Sequence, residues 1–135
     1  MIKEHYDAVR ALLPPDSDNF RVYLGKVDPS PVYPYVVLWG AAGVLDGETL
    51  TDRAVDFSAR IKATCAGTSF ASVAITMDRV RTALNRVRPT IEGRQAGKLI
   101  LTPLLDIQAD LSISIAGAGH PLYGVDEYLI QSTPA

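Results

Sequence analysis

Val55–Val87, VDFSARIKATCAGTSFASVAITMDRVRTALNRV, holds a strand, a turn and a helix in succession. Val55, Phe57, Ala59, Ile61, Ala63 and Cys65 alternate with Asp56, Ser58, Arg60, Lys62 and Thr64. A period of two predicts a strand with one dry face and one wet face. Gly67 breaks it. Thr68 or Ser69 is suited to cap a helix starting at the next residues, because a hydroxyl oxygen accepts from the free N–H groups of a first helical turn. Phe70, Val73, Ala74, Met77, Val80, Leu84 and Val87 then recur at helical spacing, with Arg79, Thr82, Asn85 and Arg86 elsewhere on the wheel. Pro89 is expected to stop the helix. Strand and helix each have an apolar face, and packing those faces together buries both.

Working outward, Ile2, Tyr6, Val9 and Leu13, with Ala8 and Leu12, form a short helical stripe that Pro14-Pro15 ends. Phe20–Val27 reads as a strand. Residues 28–34 carry three prolines and read as a stiff, extended connector. Tyr35–Trp39 is apolar without alternation, the pattern of a strand buried on both faces. Residues 40–54, with Gly43, Asp46, Gly47, Glu48 and Asp52, read as one long, acidic loop, and a loop of that length inside a domain is usually functional or disordered. Leu99–Leu105 reads as a strand that Pro103 confines to an edge. Ile107–Ile115 alternates and is either a further strand or an extended arm. Leu122–Gln131 is the last expected strand, and 132–135 is expected to fray. The expected architecture is α+β: one domain over 1–135, a mainly antiparallel sheet with an N-terminal and a central helix packed on one face.

Composition narrows the function. The 135 residues carry a net charge of −2, with 47% hydrophobic and 21% charged residues, as in an ordinary globular domain. Arg79, Arg81, Arg86 and Arg88 point in different directions round their helix and read as a solvated face, not the basic stripe of a nucleic-acid-binding domain. One cysteine permits no internal disulfide and suits a reducing compartment. No apolar run is long enough for a signal peptide or a membrane span, so synthesis and retention in the cytoplasm are expected.

Few residues offer chemistry. Cys65 is the one thiol, and its phase with Phe57 and Ile61 predicts an inert core residue. His5 and His120 are isolated, without metal-ligand spacing, and His120 reads as a turn or interface residue. Gly117-Ala118-Gly119 lacks the helix and Gly-Lys-Ser/Thr of a phosphate loop. Gly67-Thr68-Ser69 sits where an anion could bind, but helix capping explains it. Asp126 and Glu127 are strand neighbours, so they face opposite ways and cannot share a proton. No catalytic residues, cofactor site or metal site are expected. The chain reads as one that assembles.

The features taken together resemble a known family. Tyr33-Pro34-Tyr35-Val36-Val37-Leu38 precedes a long loop. Phe57 to Gly67 and the helix with Ala74, Asp78-Arg79-Val80-Arg81 and Ala83-Leu84 come next. Val125-Asp126-Glu127-Tyr128-Leu129-Ile130 closes the chain. This order resembles the tail terminator (tail completion) proteins of long, non-contractile-tailed phages, in particular those of actinobacterial phages and prophages. The resemblance covers about Met1 to Ser132. It implies a virion protein, assembled in the host cytoplasm, that forms a ring, usually a hexamer, on the head-proximal end of the tail tube. Such a ring stops tube polymerisation and docks the neck proteins of the head. Its implied partners are other copies of itself, the tail-tube protein and the neck stopper, with DNA passing through and no membrane. Candidate interface residues are Tyr35, Val37 and Trp39, the loop acids Asp46, Glu48 and Asp52, and His120. Another neck or tail protein, either a head–tail stopper or a tube subunit, is the alternative of the same class. A small cytoplasmic enzyme or ligand-binding domain is the alternative of a different one.

Overall fold

The computed structural model describes residues 1–46 and 55–135. In chain order the elements are α1 (Ile2–Leu12), β1 (Arg21–Leu24), β2 (Tyr35–Gly40), β3 (Val44–Asp46), β4 (Asp56–Gly67), α2 (Phe70–Leu84), β5 (Arg94–Ala96), β6 (Ile100–Ala109) and β7 (Leu122–Pro134). The strands form one seven-stranded sheet in the order β1-β2-β4-β7-β5, with β3 on β4 and β6 on β7. Every pairing is antiparallel except β1 with β2. The class is α+β, as expected, with the sheet dominant.

β4 forms because its alternation lets one face go dry. Phe57, Ala59, Ile61, Ala63 and Cys65 are all buried and join one core. Their partners across β7 are Ser132, Ile130, Tyr128, Asp126 and Gly124, which therefore share that face. Both helices lie on it. A Cβ on Gly124 would meet Met77 of α2, and the His5 ring of α1 packs 4.0 Å from that of Phe57. The other face carries no helix among the described residues.

The helix departs from expectation at both ends. Val73, Met77, Val80 and Leu84 are buried, each side chain contributing roughly 1.5–3 kcal/mol by leaving water. Phe70, expected on the same stripe, is 62% exposed. It begins the helix just past the end of β4, on the wall of an open groove whose other side is β6. Thr76 takes an unexpected buried place, because its Oγ1 donates to the Ser72 carbonyl at 2.8 Å and needs no other partner. Ser69 is the cap, accepting from the Ser72 N–H at 3.1 Å. The helix stops at Leu84, before Pro89 can act. Asn85 leaves the helical conformation, Arg86 has φ +61°, and Arg86 N–H then donates to the Leu99 carbonyl.

Other boundaries move for reasons of pairing. The segment expected to be one loop over 40–54 contains the end of β2 and a short strand, Val44–Asp46, laid against Phe57 and its neighbours. Gly43 makes that turn possible: its φ is +100°, and a Cβ there would stand 2.5 Å from the Phe57 ring. The tail expected to fray at 132–135 is instead held as far as Pro134, since Ser132–Pro134 pair with Arg94–Ala96. β1 is shorter than the expected Phe20–Val27 strand. Pro103 does lie on an edge strand, since β6 pairs only with β7 among the described residues, and the register shifts just after it. Ile107–Ala109 complete β6, and the rest of the alternating run forms an arm.

Candidate interaction surface

The helix-free face of the sheet is read from its register. One row crosses four strands as Tyr23, Val37, Thr64 and Val125. The next is Trp39, Lys62, Glu127 and Thr102, and beyond it lies a row of Arg60, Leu129 and Ile100. Val37 and Val125 are buried in the middle of this face. Trp39 and Ile100 are exposed round them. An apolar centre with a charged and aromatic surround is the composition of a protein interface.

Tyr35, Val37 and Trp39 share this face because they alternate with Val36 and Leu38, which enter the core. The expectation that Tyr35–Trp39 is buried on both faces holds for Val36–Leu38 and fails at Trp39, which is exposed. The Trp39 indole N–H donates to Thr64 Oγ1 at 2.9 Å, and Lys62 Nζ stands 4.7 Å from the ring centroid. At the other end of β2, Tyr35 packs against Tyr23 and Tyr33. Burial pushes the Tyr35 hydroxyl up to about 12, so it remains a neutral donor at any ordinary pH.

The remaining candidate residues lie outside β2. Asp46 is the last residue of β3. Glu48 and Asp52 lie outside the described residues. His120 is exposed at the base of the 110–121 arm, where its Nδ1 donates to the Ile113 carbonyl.

Charged pairs brace both faces of β7. Arg81 Nε and Nη2 donate to Asp126 Oδ2 and Oδ1 at 2.7 and 2.8 Å on the helix side. Arg60 Nη1 donates to Glu127 Oε1 at 3.0 Å on the open side. The two carboxylates face opposite ways, as strand geometry requires. Arg81, expected only to be solvated, is therefore a structural ion-pair residue. Its place on the helix aims it at the sheet.

A buried polar chain was not legible in the sequence. The His5 Nδ1–H donates to the Met1 carbonyl, which leaves Nε2 as an acceptor for the Ser132 hydroxyl at 2.7 Å. Arg94 Nε donates to Ser132 Oγ at 2.8 Å, and its Nη2 donates to the Val55 carbonyl at 2.6 Å. Burial lowers the His5 pKa, and the Arg94 charge adds to that. This is a serine–histidine pair without catalytic logic. No carboxylate hydrogen-bonds to the ring to orient it, although His5 and Arg94 line a cavity of about 630 Å³ together with Met1, Glu4 and Ile91. It ties α1, β5 and the end of β7 together. The Cys65 thiol is buried, and burial pushes its pKa up, which suppresses the nucleophilic thiolate. Among the described residues, no group of three or more His, Cys, Asp or Glu could hold a metal ion, and no helix is long and apolar enough to cross a membrane.

Two grooves on the described surface have mostly apolar walls. One, of about 410 Å³, runs between α2 and β6 along Phe70, Met77, Pro103 and Leu105. The other, of about 630 Å³, lies at the Gly40 end of β2 and is lined by Ile2, Lys3, Tyr6, Leu38, Trp39 and Ala42.

No protein-family model matches the sequence, and no curated protein matches it. Solved structures do match in fold. One is a chain of a structure described as the virion of a native gene transfer agent particle. The two chains are 15% identical, the alignment covers 96% of this chain and 94% of the other, and the TM-score is 0.59. At that identity the likeness concerns the fold, and it extends over nearly the whole of both chains.

Proposed function

We propose that this chain is a structural virion protein of the phage-tail type, and specifically a tail terminator. In this reading copies of it form a ring, six-membered in the manner of the resembling family, on the head-proximal end of the tail tube. The ring stops tube growth, offers its far side to the neck stopper and lets DNA pass without sequence-specific contact. The observation that carries the reading is the whole-chain likeness in fold to a protein of a gene transfer agent virion. The sheet adds support, since one of its two faces is left without a helix and presents Tyr35, Val37 and Trp39 around an apolar centre. Ring contacts are heterologous, one patch meeting a different patch, and a chain with several separate apolar patches suits that arrangement.

The test is the protein's position in the particle. Antibody-gold labelling of intact particles should mark one site per tail, at the junction with the head. Label repeated along the tail would make this a tube subunit. Label at the junction only on heads that lack tails would make it a stopper. Absence from the particle would remove the virion reading altogether.

A further inference from the structure

We propose that the arm between β6 and β7 docks Leu111 and Ile113 into the groove at the Gly40 end of β2 on a second copy of this chain. The inference rests on the self-assembling ring reading and names the contact that would build it.

The arm is already shaped. Asp110 N–H donates to the Pro121 carbonyl at 2.8 Å and closes its base. Ser112 N–H donates to Asp110 Oδ1 at 3.1 Å, and Ile115 N–H to the Gly119 carbonyl at 2.6 Å. Held by these bonds, the arm turns apolar side chains outward: Leu111 is 75% exposed and Ile113 42%. A preformed knob loses little conformational freedom on docking.

The groove supplies the matching surface. Its walls are apolar, and both Ile2 and Trp39 on its rim are exposed. Lys3 is the one charged residue lining it among the described residues, with Asp7 as its salt-bridge partner. Beside it Lys62 stands over Trp39, and of the three charges Arg60, Lys62 and Glu127 on that part of the sheet, two are positive and one negative. The arm has the opposite sign. No Lys or Arg occurs from Leu99 to Ala135, while Asp106 and Asp110 lie at the arm's approach. Complementary charge of this kind orients an encounter and fixes its register.

An arm cannot fill its own groove. Ala109 pairs with Leu122, which pairs with Gly67 at the Tyr35 end of β2, whereas the groove lies at the Gly40 end. Five residue steps separate the two ends, roughly 16 Å at ~3.3 Å per residue. Two different patches at opposite ends of one sheet make a head-to-tail contact, which closes into a ring when the rotation per subunit allows it.

The test uses the full-length protein. The variants Leu111→Cys and Ala42→Cys, each adding one cysteine to the native Cys65, are mixed and treated with a short bismaleimide, while sedimentation velocity tracks the oligomeric state. Cys65 is buried and contributes little background. The expected result is a covalent dimer in the mixture, several-fold above that from either variant alone. Leu111→Asp, at an exposed position that leaves folding intact, should weaken association about tenfold or more. Oligomers that persist with Leu111→Asp and give no mixed cross-link would overturn the arm–groove contact and leave the ring reading standing. A protein that stays monomeric at every concentration and gives no cross-link would overturn both.

Discussion

Arg81 and Asp126 form an unequal pair, and removing the two partners should therefore cost different amounts. The Asp126 side chain is 2% exposed, whereas Arg81 is 39% exposed and reaches the carboxylate from the edge of α2. Arg81→Met strands a carboxylate that is almost wholly buried. Breaking a buried pair in this way costs about 3–5 kcal/mol, and the exposed guanidinium places the expected loss at the low end, about 3 kcal/mol. Asp126→Asn keeps the shape and still accepts a hydrogen bond, and Arg81 can turn to solvent, so about 1–2 kcal/mol is expected. The double variant should cost less than the two single losses together, because residues in one network are coupled. Urea denaturation of the four proteins, fitted with a common slope, measures each loss. Equal losses for the two single variants, or additivity within about 0.5 kcal/mol, would refute the reasoning.

Three further outcomes are expected. Leu84→Ala should cost roughly 2–5 kcal/mol, while Phe70→Ala, at an exposed position, should cost under about 1 kcal/mol, both read from denaturation midpoints. His5 has a pKa lowered below 6.5 by burial and by Arg94, so the folded state favours the neutral ring. The unfolded chain takes up the proton first as pH falls, so stability should be level above about 6.5 and decline from there towards the lower folded value. His5→Gln should flatten that decline in melting temperature against pH, and an unchanged slope would assign it to other groups. Cys65→Val should fold and assemble with a change within about 1.5 kcal/mol, and a thiol reagent should label native wild-type protein slowly but unfolded protein at once.

The parts of the fold that were legible are those where one periodicity governs a long segment. β4 and the Val73–Leu84 stripe follow from spacing alone, and so does the α+β class. Asp126 and Glu127 were separable because strand geometry leaves no choice. The misreadings share a cause, which is that the partner decides. Phe70 keeps the helical phase but stands on the wall of an open groove beside β6 and stays exposed. Val44–Asp46 is too short to show a period and is a strand only because Phe57 lies opposite. Ser132–Pro134 look like a tail until Arg94–Ala96 are laid beside them. His5, Ser132 and Arg94 are far apart in sequence, and nothing local marks them as a unit. At the candidate surface, the alternation of Tyr35, Val37 and Trp39 was visible in the sequence, but that their face lacks a helix follows only from where α1 and α2 pack. Residue type alone did not reveal that Leu111 and Ile113 point outward, since the same alternation describes a buried strand.

The most direct test of the proposed role is the length distribution of tail tubes made without this protein. Lysates from a phage or prophage in which its gene is disrupted would be imaged by electron microscopy, with and without the protein supplied from a plasmid. A tail terminator predicts tubes that overrun their normal length and heads that remain unjoined, with uniform, joined tails restored by complementation. Normal-length tails attached to heads in its absence would contradict the account.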